Sequence, residues 1–298
     1  MPKLIFSTNA SVNLAKSLAR SKKFRLAKAE VTRFADQEIA IALKERVKGR
    51  EAYVIGATYP PGDNLLELLI LIHTLKVNGA KKVNVIIPYF GYAKADRVHP
   101  AGTTFSSKLI VQTIEAAGAT KVIVVDMHGH RVPKLFKIKY QGISAVPLLI
   151  KELEKTKIKN FTIAATDKGS IKRAEKYASA LGIKKIVKVS KSRPGRDRAI
   201  VTDVSGEVKN MNVILADDMV QSGGTLCKTA AALKALGARG IYCAVTHILP
   251  TGPAFEILQK DKNITKVIFI NTMPHPYKKL PPKFKQLKTE KLLLKDME

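Results

Sequence analysis

The sequence has no tryptophan, two cysteines, and 24 acidic residues against 52 lysines and arginines in 298 residues. Each scarcity excludes something. Cys227 and Cys243 form no metal-ligand spacing, so they read as buried, reduced thiols of a cytosolic protein. Long apolar runs are missing too. The most apolar one, LLELLILIHTL from Leu65, carries Glu67 and His73 and is too short to cross a bilayer. No membrane partner is therefore expected. The stretch MPKLIFSTNASVNLAKSLA has no signal-peptide pattern, which gives the expectation of a cytoplasmic location. Nor is there a dense basic tail. The bases that bring the formal charge to +28 are scattered as KK and KIKNF along the chain. A charge of that size attracts polyanions, but scattered lysines read as a solvated surface. Nucleic acid is not an expected partner, whereas nucleotides and sugar phosphates are anions that suit the charge.

What is present is ordinary for a globular protein: 46% apolar and 26% charged residues, at a length that suits two domains. Strand-like runs alternate with helix-like ones. KLIFS precedes an amphipathic run to about Ala19, AYVIGAT precedes DNLLELLILIHTLKVNGA, and VNVIIPYFG is followed by TTFSSKLIVQTIEAAGA and KVIVVDMHG. This rhythm predicts an α/β fold of mostly parallel sheets flanked by helices. The second half echoes the first. VNVIIP at Val83 matches MNVILA at Met211, and TIEAAGATKVIVVDMH ending at His128 matches ALKALGARGIYCAVTH ending at His247. Only two copies are visible, which predicts a duplicated domain and not a solenoid. The expected boundaries are 1–140, 141–275 and a tail of 276–298, with the joint at about Lys139 to Ile143. Pro-rich MPHPYKKLPPKF breaks regular structure. After it, KQLKTEKLLLKDME is expected to form a last helix packing on the first domain.

The densest chemistry lies in NVILADDMVQSGGTLCKTAAALKALGA, from Asn212. An apolar run ends in Asp217 and Asp218, and Gln221, Ser222, Gly223, Gly224 and Thr225 then lead into a helix. Ligands of open α/β sheets bind beyond the carboxyl ends of the strands. Loop glycines let backbone N–H groups reach a phosphate, and the helix dipole favours its charge. Two carboxylates would repel that phosphate, so they need another task. Vicinal sugar hydroxyls fit them, directly or through a divalent cation. The whole reads as a ribose 5-phosphate cradle. The plain alternative is an acidic turn before an N-capped helix.

This stretch resembles the phosphoribosyl diphosphate (PRPP) binding motif of phosphoribosyltransferases and ribose-phosphate pyrophosphokinases. Other stretches resemble the second family in its own order, from the first strand to about Thr272. TRFADQEIAIALKERVKG resembles its ATP-binding hairpin, DNLLELLILIHTLK its first-domain helix, and PYFGYAKADR its P-Y-x-G-Y-A-R-Q-D-R loop. VVDMHGH resembles its D-L-H strand end, DKGSIKRA its D-x-G-x-x-x-R-A stretch, and KSRPG its mobile catalytic loop.

The resemblance implies two duplicated phosphoribosyltransferase-like domains and a reaction of ATP with ribose 5-phosphate to give PRPP and AMP. The sugar's C1 hydroxyl would attack the β-phosphorus. Phe34 would stack on adenine, with Asp36, Gln37 and Glu38 beside it. Lys94, Asp96, Arg97 and His128 would also bind ATP. Asp217, Asp218, Arg193 and the loop Gln221, Ser222, Gly223, Gly224, Thr225 would hold ribose 5-phosphate. His128 and Asp167 would position Mg2+. Lys191 and Arg193, on a loop that closes, would be the catalytic cations. The hairpin would reach a neighbour's site in a homo-oligomer built from dimers.

The residues alone leave alternatives open. His128 also suits a core histidine, Asp167 a helix cap, and Lys191 and Arg193 two more surface bases. There are departures from the family pattern as well. Lys94 and Ala95 stand where the family has Arg and Gln, Gln221 and Ser222 where it has Asp and Thr, and His73 where it has an acid. Lysine keeps the charge but loses the planar fork. Two rival functions share the cradle: a phosphoribosyltransferase, and a non-catalytic PRPP-sensing regulator. The first would not need the hairpin or the duplicated domain. Against the second, no helix-turn-helix segment stands outside the duplicated core.

Overall fold

The computed structural model describes residues 2–192 and 200–296. The chain divides into two compact units, Met1–Ser144 with Glu290–Glu298, and Ala145–Thr289.

The first unit opens with β1 (Lys3–Ser7), α1 (Val12–Ala19), β2 (Phe24–Leu26), β3 (Ala29–Arg33) and β4 (Ile39–Leu43). It continues with β5 (Glu51–Ile55), α2 (Asp63–Val77), β6 (Lys82–Ile87), α3 (Ser106–Ala116), β7 (Lys121–Val125) and β8 (Lys139–Ile143). Six strands form one sheet in the order β2-β1-β5-β6-β7-β8, with parallel pairing throughout. Runs such as KVNVII, buried at every position after the first, need covering on both faces, which helical crossovers provide. Leu68, Leu71, Ile72 and Leu75 of α2 are fully buried against this sheet, while Leu66 and Val77 on its outer side stay exposed. β3 and β4 form a separate antiparallel hairpin, anchored by Ile41 and Leu43 on the core. The expected joint at 139–143 is instead strand β8, paired with β7. KYQGI looks like a linker because an edge strand is half-exposed and has no apolar alternation to show.

The second unit begins with α4 (Val146–Lys155), β9 (Phe161–Ala165), α5 (Ile171–Ala180), β10 (Val187–Ser192), β11 (Ile200–Ser205) and β12 (Asn212–Val220). Then come α6 (Gly224–Ala235), β13 (Gly240–Ile248), α7 (Ala254–Lys260), β14 (Ile264–Ile270) and β15 (Phe284–Leu287). Its seven strands lie in the order β11-β10-β9-β12-β13-β14-β15. β10 and β11 pair antiparallel and the other neighbours parallel. Because β15 joins this sheet, the second unit extends to Thr289 and not to the expected residue 275. The helix α8 (Glu290–Asp296) belongs to the first unit, where it meets α1 and β8 and buries Leu293 completely. Cys243 is buried and Cys227 half-buried, both as free thiols. Burial pushes Cys227 up to about 12 and Cys243 further, so both stay protonated.

Strand order reverses once in each sheet. The first steps from β1 across to β5, the second from β9 across to β12. Such a reversal opens a crevice beyond the carboxyl ends of the two flanking strands.

Candidate active site

In the second unit the crevice lies between β9 and β12, whose register pairs Ala165 with Ala216. The residues one step further, Thr166 and Asp217, are neighbours, and the Thr166 hydroxyl donates to Asp217 Oδ2 at 2.7 Å. Asp217 Oδ1 accepts from the Asp218 N–H at 2.9 Å. Burial, then the charge of Asp218, pushes Asp217 up to about 7 against the opposing pull of the Thr166 hydrogen bond.

The acids were expected to end their strand. They lie inside it, because β12 goes on pairing with β13 as far as Val220 and Ile248. Strand alternation therefore sends the two carboxylates to opposite faces. Asp217 shares the face of Val213 and Leu215, which pack with Leu226 and Leu233 of α6. Asp218 takes the other face, where Arg173 of α5 donates to the hydroxyl of Thr246 in β13 at 3.4 Å.

The Gly-Gly-Thr segment starts α6. Gly223 is its N-cap at φ 82°, and no side chain caps the helix. A Cβ at Gly223 would stand 3.3 Å from Ala254 O, Ile257 Cγ2 and Leu258 Cγ. Both the left-handed backbone and the close packing demand glycine. The first-turn N–H groups are left to solvent or to an anion. Gln221 and Ser222 are exposed, and Gly224 and Thr225 half-buried.

Asp167 follows Thr166 and forms a capping box. Its Oδ1 accepts from Ser170 N at 2.9 Å, and its own N–H donates to Ser170 Oγ at 3.1 Å. Lys191 is half-buried in strand β10, where a loop was expected, because pairing with β11 extends past it. A register shift between Ser190 and Lys191 interrupts that pairing, and such irregularities re-aim side chains. Arg193 lies outside the described residues.

In the first unit the matching position, beyond β1 and β5, holds an internal contact. Glu67 of α2 is buried and accepts from the Asn9 N–H at 2.5 Å and from Asn9 Nδ2 at 3.2 Å. Burial raises the Glu67 carboxyl above its ordinary range. An internal carboxylate thus occupies the loop N–H that an anion would seek. The remaining expected residues stand on other loops of this unit. Phe34, Asp36, Gln37 and Glu38 form the exposed tip of the β3–β4 hairpin. Arg33 steadies it, donating to Gln37 O and to Asp63 Oδ2, each at 2.7 Å. The β6–α3 loop carries exposed Lys94 and Arg97 and half-buried Asp96. It is fixed to α3 by Ser107, whose Oγ donates to Ala95 O at 3.0 Å. The loop after β7 carries half-buried His128, and it touches the same Asp96: Arg131 pairs with Asp96 at 3.5 Å. Gln37, Tyr92 and Asp126 all have positive φ, one in each of these three segments. Positive φ also occurs at Lys22, Lys157, Asn160 and Asn210, outside these segments.

Residues 3–118 match the family model for the N-terminal domain of ribose phosphate pyrophosphokinase, and residues 139–278 match the phosphoribosyl transferase domain. The chain is 34% identical over 274 residues to the ribose-phosphate pyrophosphokinase of Ralstonia nicotianae, covering 91% of this chain and 86% of the relative. The chain belongs to the ribose-phosphate pyrophosphokinase family. The ribose-phosphate pyrophosphokinase of Bacillus subtilis is likewise 34% identical over 290 residues, or 97% of this chain and 91% of that one. A crystal structure of phosphoribosylpyrophosphate synthetase from Mycobacterium smegmatis matches with a TM-score of 0.91 at 28% identity, covering 100% of this chain and 98% of that chain. The sequence reading did not single out Thr166, which touches Asp217. Thr166 gives no local signal, since its partner Asp217 is 51 positions away.

Proposed function

We infer that this chain makes PRPP, moving the diphosphoryl group of ATP as a unit to the C1 hydroxyl of ribose 5-phosphate and releasing AMP. The observation that carries this reading is the uncapped start of α6 beside Asp217 at the reversal of strand order. An anion-seeking helix end next to a hydroxyl-seeking carboxylate suits a phosphorylated sugar. In this reading the first unit handles ATP and the second the sugar. Gln221 to Thr225 hold the 5-phosphate through backbone N–H groups, and Asp217 and Asp218 accept hydrogen bonds from the ribose hydroxyls. Phe34 stacks on adenine, with Asp36, Gln37 and Glu38 at its edge and ribose. Lys94, Asp96 and Arg97 bind the nucleotide. Lys191 and Arg193 neutralise charge on the transferring group. Phosphoryl transfer goes through a loose transition state, so positioning and charge account for most of the rate.

The residues fit a divalent cation that arrives with the nucleotide. Among the described residues no group of three or more His, Cys, Asp or Glu side chains could hold a metal ion alone. Asp167, in the second unit, keeps Oδ2 for a ligand while Oδ1 caps its turn; His128, in the first unit, is the other residue the family resemblance assigns to the cation. Mg2+ suits such a sparse set, since it retains waters and rests on substrate phosphates. Bound there, it would screen the triphosphate.

The proposal includes a homo-oligomer built from dimers. Phe34, Leu66 and Val77 are 59%, 49% and 63% exposed, and a second copy would give these apolar side chains cover. It also includes a cytoplasmic setting without membrane or nucleic-acid partners. Among the described residues, no helix is long and apolar enough to cross a membrane. The test is direct: incubate the chain with ATP, Mg2+ and ribose 5-phosphate and follow AMP. AMP formed only when the sugar is present is the expected result. Its absence at all nucleotide and cation concentrations would leave the sensor reading.

A further inference from the structure

The sugar acids of the second unit do not hold themselves in place. Asp217 Oδ1 is drawn back onto the Asp218 N–H, a contact 2.9 Å long within the same strand. Its Oδ2 is fixed from the neighbouring strand by Thr166 Oγ1 at 2.7 Å. Thr166 is wholly buried, and so is unable to exchange this partner for solvent. Behind it stands a second hydroxyl. Ser170 Oγ lies 3.2 Å from Thr166 Oγ1, and is itself fixed by the Asp167 N–H at 3.1 Å and the Asp167 carbonyl at 3.0 Å. The chain of groups Asp167–Ser170–Thr166–Asp217 crosses the gap between β9 and β12 where the ligand crevice opens.

We propose that Thr166 is a positioning residue of the sugar site: its buried hydroxyl, backed by Ser170, holds the Asp217 carboxylate in the orientation that receives the ribose hydroxyls. A carboxylate has about four lone-pair sites. Thr166 and the Asp218 N–H use two different oxygens, which fixes the plane of the group and leaves one further site on each oxygen. Without the Thr166 hydroxyl the carboxylate turns about its Cβ–Cγ bond and its free sites no longer converge. The hydroxyl also favours the ionised, accepting form of Asp217. Ser170 limits Thr166 in turn. Its single proton can go to the Asp167 carbonyl or to Thr166 Oγ1; in the second arrangement Thr166 accepts from Ser170 and donates to Asp217, so each bond has its own proton.

This inference rests on the reading that Asp217 binds ribose 5-phosphate, and the experiment separates the two. Thr166→Val, Thr166→Ser and Asp217→Ala are made in the full chain, and KM for ribose 5-phosphate, KM for ATP, kcat and the thermal midpoint are measured for each. Valine keeps the shape of threonine and removes the hydroxyl, while serine keeps the hydroxyl. A hydrogen bond to a charged group is worth enough that Thr166→Val should raise the sugar KM about tenfold or more, with the ATP KM within about twofold. Thr166→Ser should stay near wild type. In an Asp217→Ala background, Thr166→Val should add little, because the group it positions is gone. A wild-type sugar KM in Thr166→Val, or equal damage by Val and Ser, would overturn the positioning role. If Asp217→Ala itself leaves the sugar KM unchanged, the sugar site has been placed wrongly and the proposal falls with it. A valine variant that does not fold is replaced by Thr166→Ala beside Thr166→Ser, where recovery of the sugar KM by serine carries the same decision.

Discussion

At the scale of single residues, Asp217 sets function against stability. The folded chain raises its carboxyl from 3.8 to about 7, so ionising it in the fold is unfavourable. The unfolded chain ionises it freely. The resulting loss of stability is absent below about pH 4, grows as pH rises, and is complete above about 7. Asp217→Asn removes the ionisation. It should therefore raise the thermal midpoint at pH 8, by about 2–4 °C for each kcal/mol of relief, and raise it less at pH 5. Differential scanning of both proteins at the two pH values checks the sign; a larger gain at pH 5 would contradict it. Lys191 is the opposite case, a charge proposed to act on the transition state. Lys191→Ala should lower kcat by about 100-fold or more and leave the affinity for ribose 5-phosphate, read by calorimetry, within about twofold. Equal losses in both would make it a binding residue. Asp217 and Asp218 stood out in the sequence as candidates because they break an apolar run in sight of Gly-Gly-Thr. Thr166 was not, since nothing local says that the strand at Phe161 will lie beside the strand at Asn212.

Elements were more legible than their ends. The alternation of apolar runs and helical stretches marks both sheets, and the FADQE segment does form a hairpin between β3 and β4. Missed features were those decided by a neighbour. β12 extends past its acids because β13 continues to pair with it, β8 is a strand because β7 offers an edge, and Lys191 sits on a strand because β11 returns beside it. The repeat that suggested two like domains held at the level of strand order. It did not reveal that Glu67 takes the Asn9 N–H at the strand-order reversal of the first unit. A loop can be tested at this scale. Gly223→Ala puts a Cβ into a left-handed position with contacts at 3.3 Å. About 1–2 kcal/mol of backbone strain is expected, with the start of α6 displaced. The KM for ribose 5-phosphate should rise about tenfold or more while the ATP KM barely moves. An unchanged sugar KM in a folded variant would remove the helix start from the site.

On the scale of the whole molecule, the exposed hairpin tip makes a prediction about assembly. Glu38 and Lys191 stand in different units, and the proposed active dimer draws the hairpin from one chain and the catalytic strand from the other. Glu38→Ala and Lys191→Ala chains, each inactive alone, should then recover activity when mixed. In a fully exchanged mixture half the dimers are mixed, and each regenerates one intact site of two. Recovery should therefore approach a quarter of wild-type activity. Native mass spectrometry must first show mixed dimers, and mixed dimers without recovery would show that each chain builds its site alone. The division of the chain has a different consequence, for synthesis on the ribosome. The first unit encloses the second in sequence, since α8 returns to lie against α1 and β8. Residues Ala145–Thr289 emerge as one uninterrupted segment with all the strands of their sheet. The first unit, although its leading strands are translated earlier, must wait for Leu293 to close over it. The second unit can therefore mature while the first is still open, which reverses the usual order of vectorial folding.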